Sequence, residues 1–199
     1  QVLANLANVT LGGKKGDTSP VHPNDHVNMG QSTNDTIPTA IRLAALAKLP
    51  RLMQSVEAMA AEFETLGQQE TKTVKSGRTH LQDAVPTTLG REFAAYAFTL
   101  RRCNTQMGAT RALLCDIGLG GSAVGTGLNT APGYVERAAA ELAQLTGEPI
   151  KPAADLSAQM QSMGDLQQLS NAIRALALEV TRIANDMRLL ASGPRTGFA

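Results

Sequence analysis

Three long stretches of this chain place apolar residues alternately three and four positions apart. The first stretch carries Leu49, Leu52, Val56, Met59, Phe63 and Leu66; the second runs from Leu89 to Leu114, and the third from Leu166 to Leu190. An average spacing of 3.5 residues keeps apolar side chains on one stripe of a helix, and helices with such stripes wind around one another. We therefore predict long helices over about 36–66, 87–117 and 163–191, packed nearly antiparallel in a bundle.

The segments between these stretches predict shorter elements. Residues 1–30 indicate a short helix followed by irregular chain, and the glycines and polar residues of 118–129 indicate a loop. A further helix is expected at about 132–146. No segment shows the alternation that favours strands, so the predicted fold class is all-α. The third long helix is also apolar outside its main stripe, at Leu178 for example, which predicts burial against other subunits.

Charge and composition argue against several kinds of partner. The formal net charge is +1, from 18 basic and 17 acidic residues, and only 3% of the residues are aromatic. With no basic stripe and no aromatic platform, we expect no nucleic-acid partner. No apolar run approaches the roughly 20 residues that cross a bilayer, so no membrane partner is expected.

The cysteines favour a reducing compartment. Cys103 and Cys115 fall within one predicted helix, about 18 Å apart along its axis. That separation is too large for a disulfide within the chain, so both thiols should be free core residues. Free thiols are typical of a cytoplasmic location.

A polar cluster of two hydroxyls and an amide stands at the predicted start of the first long helix. Its residues are Ser32, Thr33 and Asn34. Such side chains cap helices by accepting hydrogen bonds from unpaired backbone N–H groups. The same N–H groups and the helix dipole also attract anions such as carboxylates. Both interpretations, a helix cap and an anion site, are open at this stage.

Two further polar segments offer site residues. Thr79 adds a hydroxyl next to His80, and histidine is the usual proton-transfer residue near neutral pH, although His80 could equally be structural. His22, Asn24 and Asp25 could form a secondary anion site or simply brace a loop through Asx turns. We expect no metal there, because too few ligands are available and Pro23 restrains their geometry.

Four motifs, in order along nearly the whole chain, resemble the fumarase/aspartase superfamily. They are Gln31-Ser32-Thr33-Asn34-Asp35, the segment Ser76-Gly77-Arg78-Thr79-His80-Leu81-Gln82-Asp83-Ala84-Val85-Pro86, the segment Gly125-Thr126-Gly127-Leu128-Asn129, and Ala184-Asn185-Asp186 with Leu189-Leu190-Ala191-Ser192-Gly193-Pro194-Arg195. The resemblance implies a homotetramer that pools its helices in one bundle, with active sites where different subunits meet. It also implies a cofactor-independent anti elimination that releases fumarate through an aci-carboxylate.

The resemblance also implies roles for the polar residues. Ser32 and Thr33 would bind the β-carboxylate of a small dicarboxylate substrate, and Asn34 would lie near the leaving group. Thr79 and His80 would hold the other carboxylate, with His80 as the catalytic residue that orients or polarises the site. His22, Asn24 and Asp25 match a secondary dicarboxylate site of fumarases.

The resemblance implies a division of the protein and a missing segment. Residues 1–30 would end an N-terminal domain and its connecting loop, and 31–199 would be a truncated central helical-bundle domain. The family's Gly-Ser-Ser loop, which supplies the Ser base, is expected after Ala199. We therefore expect residues 1–199 alone to be inactive.

The choice of substrate rests on finer sequence details. Ser32-Thr33, Asp83-Ala84-Val85-Pro86 and Met160-Gln161-Ser162-Met163 are more similar to aspartate ammonia-lyases, whereas His22-Pro23-Asn24-Asp25 is more similar to fumarate hydratases. We favour elimination of ammonia from L-aspartate. Fumarate hydratase activity and a non-catalytic helical assembly module are the alternatives.

Overall fold

The structure, a computed structural model, describes residues 1–192, and helices dominate it. The α-helices are α1 (Val2–Thr10), α2 (Thr33–Gln69), α3 (Leu89–Leu113), α4 (Tyr134–Thr146), α5 (Leu156–Gln161) and α6 (Gly164–Leu190), and Pro23–Val27 forms a π-helical turn. The strands are β1 (Val74–Thr79), β2 (Gln82–Thr88), β3 (Asp116–Ile117) and β4 (Lys151–Pro152). The predicted helical-bundle class is confirmed.

One predicted helix boundary is wrong. Helix α3 ends at Leu113, and Asp116 and Ile117 form β3. The apolar spacing continues through Leu114 because that side chain is buried after the helix has ended. Cys115 therefore does not share a helix with Cys103, although both thiols are free and buried as expected.

The strands are a second correction, because the apolar pattern predicted none. Strands β1 and β2 form an antiparallel hairpin, in which Thr79 pairs with Gln82, and β3 pairs with β4 in parallel. Apart from half-buried positions, the hairpin side chains are exposed. A hairpin without a buried face shows no apolar alternation, which explains why the pattern was missed.

The chain divides into two compact units. The first contains residues 1–45 and 114–163, and the second contains 46–113 and 164–192 of the described residues. Helix α2 contributes residues to both. The predicted boundary near residue 30 separates two domains of the whole protein. The two compact units do not test it, so it stays a prediction.

The second unit has a core built from the predicted apolar stripes. Helix α3 packs on α6. The buried side chains of this core include Val56, Ala60, Phe93, Tyr96, Leu100, Met107, Leu169, Leu176 and Ile183. The rings of Phe63 and Tyr96 meet edge to face, with centroids 5.4 Å apart. Helix α3 of this core also contacts β2 of the hairpin.

The first unit is held by a buried amide and a small apolar core. Asn8 is buried; its side chain donates to the carbonyls of Asp17 and Val21 and accepts from the Val21 N–H. These bonds fix the irregular chain that follows α1. Leu114, Ile117, Ala139 and Ile150 are buried in the same unit.

No helix within residues 1–192 combines the length and apolar character that a bilayer crossing requires.

Candidate functional site

Helix α2 begins with a capping box. The Ser32 hydroxyl accepts a hydrogen bond from the Asn34 N–H at 3.2 Å. The Asp35 carboxylate in turn accepts from the Ser32 N–H at 2.9 Å. This reciprocal pair satisfies backbone donors at the first turn. Ser32 is therefore a helix cap, while the side chains of Thr33 and Asn34 remain exposed.

The same Asp35 carboxylate also binds the glycine-rich loop. Its second oxygen accepts from the N–H groups of Gly120 at 3.1 Å and Ser122 at 3.0 Å. Asp35 is fully buried. Backbone N–H groups that converge in this way form an anion-binding nest, and here the anion is a side chain of the protein itself.

The loop beyond this nest runs against α5. The Asn34 amide donates to the Ala123 carbonyl at 2.8 Å, and the Ser157 hydroxyl donates to the Val124 carbonyl at 2.8 Å. Gly125 follows with a φ of +90°, and a Cβ there would lie 2.5 Å from the Ser157 nitrogen. Only glycine fits this position.

A cavity of about 460 Å³ lies between the start of α2, the loop and α5. Its lining residues are Thr33, Asn34, Ile37, Pro38, Ala123, Val124, Ser157, Met160 and Gln161. The cavity therefore combines part of the predicted polar cluster with part of the Met160–Met163 motif. Its size suits a small ligand.

A buried arginine holds α5 in place. Arg42 is fully buried, and its guanidinium donates to the carbonyls of Pro38 at 3.2 Å and Ser162 at 3.1 Å. Ser162 follows the last residue of α5, so Arg42 ties the end of that helix to α2. Asp155 caps the other end by accepting from the Ala158 N–H at 3.0 Å.

The second predicted cluster lies at the tip of the hairpin. Thr79 ends β1, and His80 and Leu81 form a two-residue turn with φ values of 54° and 61°. Turns with two left-handed residues normally use Asn-Gly, because side chains are strained there. Strain of this kind is typical of functional positions. Both Thr79 and His80 are exposed.

A cavity of about 380 Å³ adjoins His80 within the second unit. Its lining residues are Lys75, Arg78, His80, Leu81, Glu92, Ala95, Tyr96, Asp186, Leu189 and Leu190. The Lys75 ammonium pairs with the Glu92 carboxylate at 2.8 Å. The Tyr96 hydroxyl donates to Asp186 at 3.3 Å. Burial, then the charges of Asp186 and Glu92, raise the pKa of Tyr96 to about 12.

The His22 segment braces a loop. The His22 Nδ1 accepts from the N–H groups of Asn24 at 3.3 Å and Asp25 at 3.1 Å, and the His26 Nδ1 accepts from the His22 N–H at 2.8 Å. The Asp25 carboxylate also lies 3.1 Å from the His22 Nδ1. These bonds match the loop-bracing interpretation, and the secondary anion site remains a prediction.

Within residues 1–192, no group of three or more histidine, cysteine or carboxylate residues is arranged to hold a metal ion.

The structure thus brings some predicted residues together, and it assigns the two predicted clusters to different compact units. Ser32, Thr33 and Asn34 share one helix start in the first unit, whereas Thr79 and His80 belong to the second. Their convergence was predicted between subunits, and it stays a prediction. Residues 193–195 of the last motif lie outside the described residues.

Two buried residues that hold the elements around the first cavity, Asp35 and Arg42, were not singled out from the sequence. A signal for Asp35 was available: a serine followed three positions later by an acid is the pattern of a capping box. For Arg42 no sequence signal existed, because a buried arginine inside a helix is not distinguished from an exposed one by spacing.

The helical bundle and the two polar clusters are features of one class of protein. The sequence comparisons identify that class. A protein family described as "Lyase" matches residues 1–199, and the chain belongs to this family, within the fumarase/aspartase superfamily.

Its relatives include both kinds of enzyme considered above. The chain is 46% identical to the class II fumarate hydratase of Ralstonia nicotianae and 44% identical to the aspartate ammonia-lyase of Pseudomonas aeruginosa. Both matches include 100% of the chain, which spans only 43% and 42% of the lengths of these two relatives.

Solved structures agree with the fold. The fumarate lyase:delta crystallin of Brucella melitensis bound to cobalt matches with a TM-score of 0.95 and 43% identity, over 98% of this chain and 43% of that one. The recombinant class II fumarase of Schistosoma mansoni matches with a TM-score of 0.92 and 33% identity, over 98% of this chain and 44% of that one.

Proposed function

We propose that the protein is a carbon–nitrogen lyase that eliminates ammonia from L-aspartate to give fumarate. A base removes a proton from Cβ, and the electron pair of that C–H bond moves into the adjacent carboxylate. The resulting aci-carboxylate then forms the carbon–carbon double bond as the C–N bond breaks and ammonia leaves. Relatives named aspartate ammonia-lyase support this choice.

One observation carries the proposal: a hydroxyl and an amide stand exposed at the start of α2 and line a cavity of ligand size. An aci-carboxylate carries more negative charge than the substrate carboxylate, so donors already in position stabilise it. The N-terminal end of a helix adds a favourable potential for that charge. Thr33 and Asn34 meet both requirements.

The roles predicted for the remaining residues are compatible with these contacts. Ser32 and Thr33 bind the β-carboxylate, and Asn34 binds near the leaving amine. Ser32 accepts one hydrogen bond as a cap, but a hydroxyl keeps its own proton to donate to a ligand. A neighbouring subunit contributes Thr79 and His80, which hold the other carboxylate of the substrate. His22, Asn24 and Asp25 form a secondary dicarboxylate site.

The assembly is proposed to be a homotetramer that acts without a cofactor in the cytoplasm. Large apolar side chains on the described helices are exposed in a single chain; Phe98 is 69% exposed and Leu178 is 64% exposed. An exposed apolar surface of this kind is typical of an interface. Free cysteines suit a reducing compartment.

Fumarate hydratase activity is the second candidate. It is supported by the identity with class II fumarases and by the His22-Pro23-Asn24-Asp25 segment. In that case the same donors stabilise the same aci-carboxylate, and water leaves instead of ammonia.

The test supplies L-aspartate and L-malate separately to protein expressed from the complete gene and follows fumarate absorbance. We expect fumarate from L-aspartate. The Asn34→Ala variant should lose about 10²- to 10³-fold in kcat, while Asn171→Ala, an exposed change on α6, should not. Product from L-malate alone would replace the first candidate by the second. Absence of turnover with both substrates would favour the assembly module.

A further inference from the structure

We propose that Asp35 is a positioning residue for the elimination, which sets the geometry of the Ser32–Asn34 cluster without touching the substrate. The proposal rests on the proposed function of the same cavity. It concerns a residue that lies behind the cluster, fully buried, on the side of α2 that faces the glycine-rich loop.

The two oxygens of Asp35 hold two different elements. Oδ1 accepts from the Ser32 N–H, at the first turn of α2. Oδ2 accepts from Gly120 and Ser122, in the loop. Hydrogen bonds to a carboxylate are stronger than neutral ones, and no water competes for a fully buried group. One side chain therefore fixes the loop relative to the helix start.

The polar cluster lies directly on this junction. Asn34 precedes Asp35, and its amide donates to Ala123, the residue after Ser122. If the loop shifts, the Ala123 carbonyl shifts too, and the Asn34 amide turns with it. Ser122 has a φ of 58°, a left-handed conformation that a serine adopts at a cost. The hydrogen bond that the Ser122 N–H donates to the Asp35 carboxylate helps to hold Ser122 in this conformation.

Arg42 provides an internal comparison. It is also fully buried on α2, seven residues after Asp35, and it also binds backbone groups. Its hydrogen bonds to the carbonyls of Gln159 and Ser162, however, hold the end of α5. Loss of Arg42 should therefore reduce stability, whereas loss of the Asp35 carboxylate should also change the kinetics of the folded enzyme.

The informative variant is Asp35→Asn, which keeps the size of the side chain but replaces one acceptor oxygen by a donor. That donor must face either Ser32 or the loop N–H groups, so one junction is lost. We expect kcat/KM to fall about 100-fold, mainly through kcat, because small displacements of positioned groups have effects of that size. Asp155→Asn, a change of the same kind at an exposed helix cap, should stay within about twofold, since Asn caps equally well.

Two further measurements separate positioning from folding. Asp35→Glu keeps the charge and should recover about tenfold of the activity that Asp35→Asn loses, with the carboxylate displaced by one methylene. The double variant Asp35→Asn/Asn34→Ala should lose at most about threefold more than Asn34→Ala, because the two residues act through one group. Binding of succinate, a dicarboxylate without a leaving group, should weaken by only about two- to threefold in Asp35→Asn, because most of the loss falls on kcat.

The outcomes are distinct. The proposal is overturned if the losses of Asp35→Asn and Asn34→Ala multiply, if Asp35→Asn matches the wild type in kcat and succinate binding, or if its effect equals that of Arg42→Gln at the same Tm. Should Asp35→Asn fail to fold, wild-type kinetics in Asp35→Glu would overturn it. The proposed function itself fails separately, if the wild-type protein turns over neither L-aspartate nor L-malate.

Discussion

Buried polar side chains support both of the exposed polar clusters. Asp35 lies beneath Ser32, Thr33 and Asn34, and binds both the helix start and the glycine loop. Near the hairpin that carries His80, Tyr96 is buried and donates to Asp186. Buried groups of this kind are stable only when their hydrogen bonds are satisfied, so they fix geometry as well as contribute stability.

Tyr96 should make stability fall at high pH. Its pKa is raised to about 12 from 10.0 by burial and by Asp186 and Glu92. Below pH 10 the hydroxyl is protonated in the folded and unfolded states alike. Between pH 10 and 12 the unfolded chain loses the proton while the folded chain keeps it, so the free energy of unfolding decreases as pH rises.

The measurement compares wild type with Tyr96→Phe. The difference between their absorbance titrations at the phenolate band should have a midpoint near pH 12. The Tm of the wild type should fall more than that of the variant between pH 10 and 12. A midpoint near pH 10 would contradict the burial and charge environment described for this hydroxyl.

Two glycines of α3 should respond oppositely to the same substitution. A Cβ at Gly90 would lie 2.8 Å from the carbonyl carbon of Glu70, which is backbone and cannot move freely. Gly90→Ala should therefore destabilise by about 1–3 kcal/mol. Among the described residues, a Cβ at Gly108 would meet only the flexible end of Met53, at 3.4 Å. Gly108→Ala should stabilise by about 0.5–1 kcal/mol, since alanine favours the helix interior.

Thermal unfolding of the two variants beside wild type measures both effects. Tm should decrease for Gly90→Ala and increase for Gly108→Ala. If Tm changes in the same direction in both variants, helix propensity or general crowding dominates. The close approach of the Glu70 backbone would then not determine the effect of Gly90→Ala.

The long helices could be predicted because their apolar stripes decide both local and tertiary structure. Thr33–Gln69 and Gly164–Leu190 match their expected ranges within a few residues. The end of α3 was wrong because Leu114 continues the spacing while belonging to the core after the helix. The hairpin was missed because its strands bury no continuous apolar face.

The candidate site was predicted in part for similar physical reasons. Hydroxyl and amide residues at a helix start are visible in the sequence, so Ser32, Thr33 and Asn34 could be singled out. Their anchoring by the 120–122 loop could not, because it depends on backbone N–H groups that every sequence carries. The left-handed turn at His80 was equally hidden, since Asn-Gly would signal such a turn and His-Leu does not.

We propose that the two polar clusters acquire a common function only when subunits assemble. Within one chain, the helix-start cluster belongs to one compact unit and the hairpin-tip cluster to the other. Exposed apolar side chains on the described helices, among them Phe98 and Leu178, favour association of subunits. We propose that one dicarboxylate site takes the first cluster from one subunit and the second cluster from another.

Mixed assemblies of two defective variants test this proposal. Two single variants are made from the complete gene: Asn34→Ala, and His80→Ala with Asn34 unchanged. Each is expected to have little activity toward L-aspartate. Coexpressed in equal amounts, they should recover about a quarter of wild-type activity, because random mixing leaves one site in four with neither substitution. If mixed assemblies form but recover no activity, each site takes both clusters from a single chain, and sharing between subunits is wrong.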